Sequence, residues 1–233
     1  MREAVIVSAA RTPIGKAYRG AFNNLESPSM ASVAVKAAVD RSGIDPKEVD
    51  DCIMGAAIQQ GTQGFNLGRQ VAMASGLPVS VAGMTIDRQC SSGLMTIATG
   101  AKHIINDNAP ITIAGGCESI SLVQNEHMNS HRIGDPLTIK NAPMIHMPML
   151  DTAETVAKRY NISREAQDEY AVASQERTAD AQVRGAFDNE IVPVTAIKMI
   201  MNKETGEVTK EEVTLTKDAV SYTHLTLPTN SGV

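Results

Sequence analysis

The sequence predicts an α/β fold in which βα units surround a mixed, mostly parallel sheet. Short apolar or β-branched runs at residues 5–9, 51–58, 81–87 and 111–114 are each closed by turn-forming residues, as buried strands are. Stretches of helix length separate most of them, and strands alternating with helices define this class. Aromatic residues make up 3% of the 233 residues and tryptophan is absent, while Gly, Ala, Ser and Met abound, which favours layers of closely approaching helices and strands.

The first run, Val5-Ile6-Val7-Ser8-Ala9, ends at Arg11-Thr12-Pro13 and reads as the first strand. It is too short for a signal-peptide core or a transmembrane helix. Ser27 and Pro28 supply an N-cap and a first helical position for a helix through Val33, Ala34, Ala37 and Ala38 that stops at Gly43. The strand at 51–58 leads into a Gly/Gln/Asn-rich segment, 59–68, and a short helix ending near Gly76-Leu77-Pro78. A strand at 81–87, a helix at about 91–106 and a strand at 111–114 closed by Gly115-Gly116 complete the alternation.

From 121 to 149 the periodicity is lost, and Met128, Met144, Met147 and Met149 collect with His127, His131 and His146. A stretch of that length without regular pattern reads as a functional loop region. Asp151-Thr152-Ala153-Glu154 matches a capping box opening a helix to about Tyr160, and Ser163 caps a long polar helix ending at Gly185. Gly206, between residues 199–203 and 207–213, predicts a β-hairpin. The chain contains no internal repeat.

The 21 basic and 26 acidic side chains give a formal charge of -5, with no long Lys/Arg block. Nucleic acid needs concentrated positive charge, so it is not an expected partner, whereas a small anionic ligand is compatible. Cys52, Cys90 and Cys117 are odd in number and widely spaced with no C-x-x-C, which argues against a disulfide framework or a cysteine zinc site. A reducing, cytoplasmic compartment is expected, with no metal and no membrane partner.

Cys90 falls where the strand ending at Asp87 meets a helix beginning Ser91-Ser92-Gly93. A helix N-terminus carries partial positive charge and unpaired N–H donors, which favour a thiolate and can hold the oxygen of a carbonyl under attack. The competing reading is a small buried apolar residue, since free cysteine is commonly buried. Cys52 in a strand and Cys117 after Gly115-Gly116 read as packing residues. A nucleophilic cysteine needs a base nearby, and His103 lies thirteen residues along the same helix, roughly 20 Å away at the helical rise, too far to serve. His127, His131 and His146 either reach the site or lie in solvent.

The run Thr85-Ile86-Asp87-Arg88-Gln89-Cys90-Ser91-Ser92-Gly93-Leu94 resembles the acyl-cysteine motif of thiolases. Ala9-Ala10-Arg11-Thr12-Pro13-Ile14-Gly15, Gly115-Gly116-Cys117-Glu118-Ser119, Thr152-Ala153-Glu154 with Ser163-Arg164-Glu165-Ala166-Gln167-Asp168, and Phe187-Asp188-Asn189-Glu190-Ile191-Val192-Pro193 resemble the same family in the same order. The match extends from residue 1 to about 219 and is nearest to the degradative acetyl-CoA C-acyltransferases, the 3-ketoacyl-CoA thiolases.

The resemblance implies a thiolase-like layered fold, of which this chain holds the N-terminal half and the loop domain. Residues 1–119 would form the α/β domain with the nucleophile, 120–219 the loop domain over the CoA substrate, and 220–233 (VSYTHLTLPTNSGV) a non-native tail. Cys90 would attack the 3-keto carbon and carry the acyl group as a thioester, and Met149 would lie against the pantetheine arm. Pro148 stands where some members have His, and Asp87 where Asn is commoner. Acyl-CoA and CoA are the implied substrates, without a separate cofactor, and a homodimer or homotetramer is the implied assembly. The family's Gly-His-Pro motif, source of the activating histidine, and its Cys-x-Gly motif, source of an acid/base cysteine, do not occur in the sequence. The chain is therefore expected to be an inactive part of a longer enzyme. A biosynthetic acetoacetyl-CoA thiolase, and a non-catalytic acyl-CoA- or lipid-binding protein on the same fold, are the alternatives.

Overall fold

A computed structural model describes residues 2–219, so the tail expected at 220–233 lies outside the described residues. The chain forms two compact units: one runs to Met128 and resumes at Asp188, and the other is Asn129–Phe187. These divisions by contact fall at different places from the division by motif at residue 119.

The first unit opens its regular structure with α1 (Ser27–Ser42), where Pro28 sits in the first turn and Gly43, at φ 70°, closes the helix in a left-handed cap. The cap expected at Ser27 falls one residue earlier, at Glu26, whose side chain makes no capping bond. Ser27 is instead buried, its N–H donating to Thr62 Oγ1 at 2.9 Å. Next come β1 (Val49–Gly55), α2 (Leu67–Ala74), β2 (Ala82–Ile86), α3 (Ser92–Asn106), β3 (Ile111–Gly116) and the single turn α4 (Ile120–Val123). Asn66, at φ 61°, caps α2 by accepting from the Arg69 N–H.

The three strands are parallel in the order β2-β1-β3, with Gly55 level with Ile86 on one side and Gly116 on the other. β1 is therefore central, and its alternation sorts the layers. Cys52 and Met54 join Ala31, Val35 and Val39 of α1 and Leu67, Val71 and Ala72 of α2 in one buried cluster. The opposite face carries α3: a Cβ on Gly55 would lie 2.6 Å from the Ser92 carbonyl carbon, and one on Gly100 would lie 2.8 Å from Thr112 Oγ1. Helices thus cover both faces, which is why β1 ends in four consecutive buried residues, unlike a half-exposed strand.

The strand expected at 5–9 does not form a ladder. Val5, Ile6 and Val7 are 72%, 78% and 67% exposed, and the pairing moves to Arg11, which bridges Ile191 in parallel through Arg11 N–H to Glu190 O (2.9 Å) and Val192 N–H to Arg11 O (2.8 Å). A β-branched run specifies extended backbone, but a ladder needs a neighbour about 4.8 Å away. Here residues 2–17 and β3 both line an apolar cavity of about 920 Å³, together with residues of α1 and α3.

The expected hairpin forms from β4 (Val194–Met201) and β5 (Val208–Leu215), turning through Gly206 at φ 72°. Val194 and Ala196 pack on Ala21 and Phe22 in a second cluster. Arg11 ties this region to the N-terminal segment, reaching Glu190 at 2.6 Å and Asp218 at 2.7 Å, while the Ile14 N–H donates to the same Asp218 carboxylate. Burial pushes the Asp218 carboxyl up, but the hydrogen bonds from Arg11 and Ile14 and the Arg11 charge outweigh it and hold the group below its ordinary range.

The second unit contains α5 (Pro136–Asn141), α6 (Met149–Arg159) and α7 (Arg164–Val183). Ser163 caps α7 as expected, accepting from the Ala166 N–H, and Asp135 caps α5. The capping box expected at Asp151 is displaced. α6 begins at Met149 with Pro148 as N-cap, and the Pro148 carbonyl accepts from the Thr152 N–H at 2.9 Å, so Asp151 sits inside the first turn. The fixed φ of proline makes it a ready helix start, and the negative charge of Asp151 still suits the N-terminal dipole.

Candidate active site

Cys90 closes a tight turn between β2 and α3, at the C-terminal edge of the parallel sheet. The turn is drawn by side chains of its own residues. The Gln89 N–H donates to the Asp87 carboxylate (2.7 Å), an Asx turn that asparagine would form equally well. Ser92 is buried; its Oγ accepts from the Arg88 N–H (2.8 Å) and donates to the Gln89 carbonyl (2.6 Å). Gln89 is held at φ 50°, a left-handed conformation uncommon for a residue with a Cβ. Cys90, immediately after it, is exposed.

Two glycines set the depth of this turn. Gly55 and Gly116 end adjacent strands; the backbone of Ser92 and Gly93 rests where a Gly55 side chain would be, and a Cβ on Gly116 would press on the Gly55 carbonyl at 3.2 Å. Thr96, one turn along α3, is buried and donates to Gly115 O at 2.9 Å, fixing the helix to β3. Behind the glycines, the buried Gln63 side chain donates to Ile58 O (2.8 Å) and to Glu118 (2.6 Å) and accepts from the Ser119 N–H, while Glu118 also accepts from the Ala57 N–H (2.8 Å). The loops that follow β1 and β3 are thereby locked together. Sequence reasoning named Ser92 and Glu118 only as members of motifs and did not single out Gln63; the signal within reach was Gly55 inside the predicted strand and Gly116 just after the next, since glycine there marks close backbone approach.

The three cysteines divide sharply. Burial pushes the Cys52 thiol up to about 12, with the Asp51 charge adding to it, and burial pushes Cys117 up to about 12 as well, against a weak hydrogen bond to Ser27 O. Both match the packing role read from the sequence. The buried-cysteine reading of Cys90 is overturned by its exposure.

His103 lies toward the far end of α3, its Nδ1 3.8 Å from Asp51 Oδ2, an ion pair when protonated. Burial raises the Asp51 carboxyl and the His103 charge opposes the rise. His127 is exposed beside Glu126, and His131 and His146, in the second unit, are exposed. Met149 opens α6 and is 72% exposed. The 920 Å³ cavity does not include Cys90 in its lining. Among the described residues no cluster of three or more His, Cys, Asp and Glu could hold a metal ion, and no helix is long and apolar enough to cross a membrane.

The strand-turn-helix thus presents one exposed cysteine at the C-terminal edge of a parallel sheet in an α/β fold. Residues 4–223 match the thiolase N-terminal domain, and the chain belongs to that family. It is 42% identical to the 3-ketoacyl-CoA thiolase of Bacillus subtilis over 83% of this chain and 49% of the relative. It is 41% identical to the acetyl-CoA acetyltransferase of Cupriavidus necator over 83% and 51%. The crystal structure of the Bacillus anthracis acetyl-CoA acetyltransferase superposes with a TM-score of 0.77 at 35% identity, covering 94% of this chain and 55% of that one. The chain thus spans about half the length of the curated relatives it matches.

Proposed function

We propose that this chain supplies the nucleophile of a thiolase that cleaves 3-ketoacyl-CoA to acetyl-CoA and a shortened acyl-CoA, as in fatty acid β-oxidation. The observation that carries the reading is Cys90: exposed, preceded by a left-handed turn and followed by a helix N-terminus, in a chain whose Cys52 is buried and whose Cys117 is half-buried. The Cys90 thiolate attacks C3 of the substrate, the C2–C3 bond breaks, and its electron pair goes to C2 of the departing acetyl-CoA, which takes up a proton. The thiolate of free CoA then displaces Cys90 from the acyl group. The CoA ester is the substrate of the first step and free CoA of the second, and no separate cofactor is called for. Met149 would meet the pantetheine arm, and the Met-rich region at 121–149 would cover the acyl chain. The homodimer or homotetramer and the cytoplasmic setting belong to the same proposal.

The test is an assay of two proteins, residues 1–233 and a version continued with a thiolase second half, each with 3-ketoacyl-CoA and free CoA. We expect turnover by the longer protein, an acyl adduct on Cys90 by mass spectrometry, loss of most activity in Cys90→Ser, and no turnover by residues 1–233, whose sequence lacks the Gly-His-Pro and Cys-x-Gly motifs. Acyl-CoA should also protect 121–149 from proteolysis in the longer protein. Binding of CoA esters without an adduct on Cys90 would favour the non-catalytic reading. Because the relatives include acetyl-CoA acetyltransferases, condensation of two acetyl-CoA with no cleavage of longer 3-ketoacyl-CoA would instead assign the biosynthetic direction.

A further inference from the structure

We infer that Ser92 is the positioning residue of the nucleophile: its buried hydroxyl holds the Arg88-Gln89 turn closed and so keeps Cys90 presented for attack. The inference rests on the thiolase reading for its chemistry, and on the geometry of the turn for its substance. Among the residues from Asp87 to Ser92, Ser92 has the side chain that is buried, and its oxygen both accepts and donates. Its Oγ accepts the Arg88 N–H and donates to Gln89 O, so one atom spans the two residues that precede Cys90. Those bonds act beside the Gln89 N–H to Asp87 bond and the backbone bonds Ser91 N–H to Arg88 O and Ser92 N–H to Gln89 O, and together they constrain Gln89 at φ 50°, a conformation that an unsupported residue with a Cβ leaves readily.

The position of the hydroxyl is itself fixed. Ser92 rests against Gly55 with no room for a side chain between them, and Thr96 pins the next turn of α3 to β3. The sheet edge therefore sets Ser92, Ser92 sets the turn, and the turn sets Cys90. Removing the oxygen leaves the Arg88 N–H without its acceptor, so the turn opens toward water while the helix and sheet beneath it stay packed. Ser92 touches no reacting atom in this scheme; it acts through the backbone of Arg88 and Gln89.

The experiment measures iodoacetamide labelling of Cys90 in the chain of residues 1–233, with peptide mapping of all three cysteines. Ser92→Ala should slow Cys90 by about fivefold, the factor that one net hydrogen bond represents, while Cys52 and Cys117 stay unlabelled as in the parent. Ser92→Thr, which keeps the hydroxyl but adds a methyl beside Gly55, should recover part of the lost rate. Gln89→Val gives a second line, because a β-branched residue disfavours the left-handed conformation and its exposed side chain leaves the core untouched; it should slow Cys90 to a similar extent. Labelling of Cys90 in Ser92→Ala within twofold of the parent, or equal slowing in a folded Ser92→Thr, overturns the inference. Should Ser92→Ala unfold, shown by labelling of Cys52 and Cys117, Gln89→Val decides, and a parental Cys90 rate there overturns it. Alkylation needs no acyl-CoA, so a failed thiolysis assay on the longer protein leaves this result standing, and the converse holds.

Discussion

The sheet edge that carries Cys90 and the helical unit at Asn129–Phe187 are built on opposite terms. Around β1 the chain is locked by long-range packing: glycines replace side chains where α3 and α2 meet the strands, and Cys52, Ile53 and Met54 are sealed on both faces. In α5 and α6 no residue is buried, and in α7 only Ala181 is. Leu137, Met144, Met149 and Leu150 stand exposed there, and what defines the helices is local: the caps at Asp135 and Ser163 and the Arg164–Asp168 pair one turn apart. A nucleophile needs the first kind of support, because an ångström of slack costs reactivity. An adaptable apolar surface suits the second.

Alkali should break the packed region with the largest effect. Cys52 and Cys117 keep their protons up to about pH 12 when folded and release them near 9 when unfolded. Their contribution to stability is therefore fully present below pH 9 and is lost as pH rises from 9 to 12, by on the order of several kcal/mol. Urea unfolding followed across that range checks this, and Cys52→Ala with Cys117→Ala should flatten the alkaline fall.

Gly55→Ala comes next, with a loss of about 3 kcal/mol, since its Cβ would meet backbone of α3 that has no room to yield. Denaturant melting measures it. Asp218→Asn should cost about 1 kcal/mol, the bridge to Arg11 being partly solvated. The wild-type advantage over Asp218→Asn should persist above about pH 4 and vanish as pH falls through the lowered Asp218 range.

Both regions were legible in part: α6 and α7 of the second unit from their local caps, though α5 was not, and the packed region from its apolar runs. Apolar runs and turn residues specified β1, β2, β3, α2 and α3 to within a few residues, and for β1 burial on both faces leaves a continuous apolar signal. Residues 5–9 misled for the same reason: the run specifies an extended backbone but says nothing about whether a neighbour stands within ladder distance. The place of Cys90 between a strand and a helix was legible in the sequence, and the structure adds its exposure. The contacts of Ser92, Gln63 and Glu118 were not legible, since a serine's bonds to the turn before its helix and a Gln/Glu pair 55 residues apart carry no local pattern. The displaced cap of α6 shows the limit of a four-residue signal when proline stands just ahead of it.

The smallest effect belongs to the second unit. Gly134→Ala should stay within about 0.5 kcal/mol of the parent, because the new Cβ meets only the mobile tip of Ile139. A loss there as large as that of Gly55→Ala would erase the distinction between the two regions.

The most direct test of the account is competitive alkylation of the folded chain at neutral pH, with peptide mapping of the three thiols. The account predicts that Cys90 is labelled first and near stoichiometry while Cys52 and Cys117 react only after denaturation, since burial holds both at about 12. Labelling of Cys52 or Cys117 in the folded protein as fast as Cys90 would contradict it, and with it the assignment of Cys90 as the nucleophile.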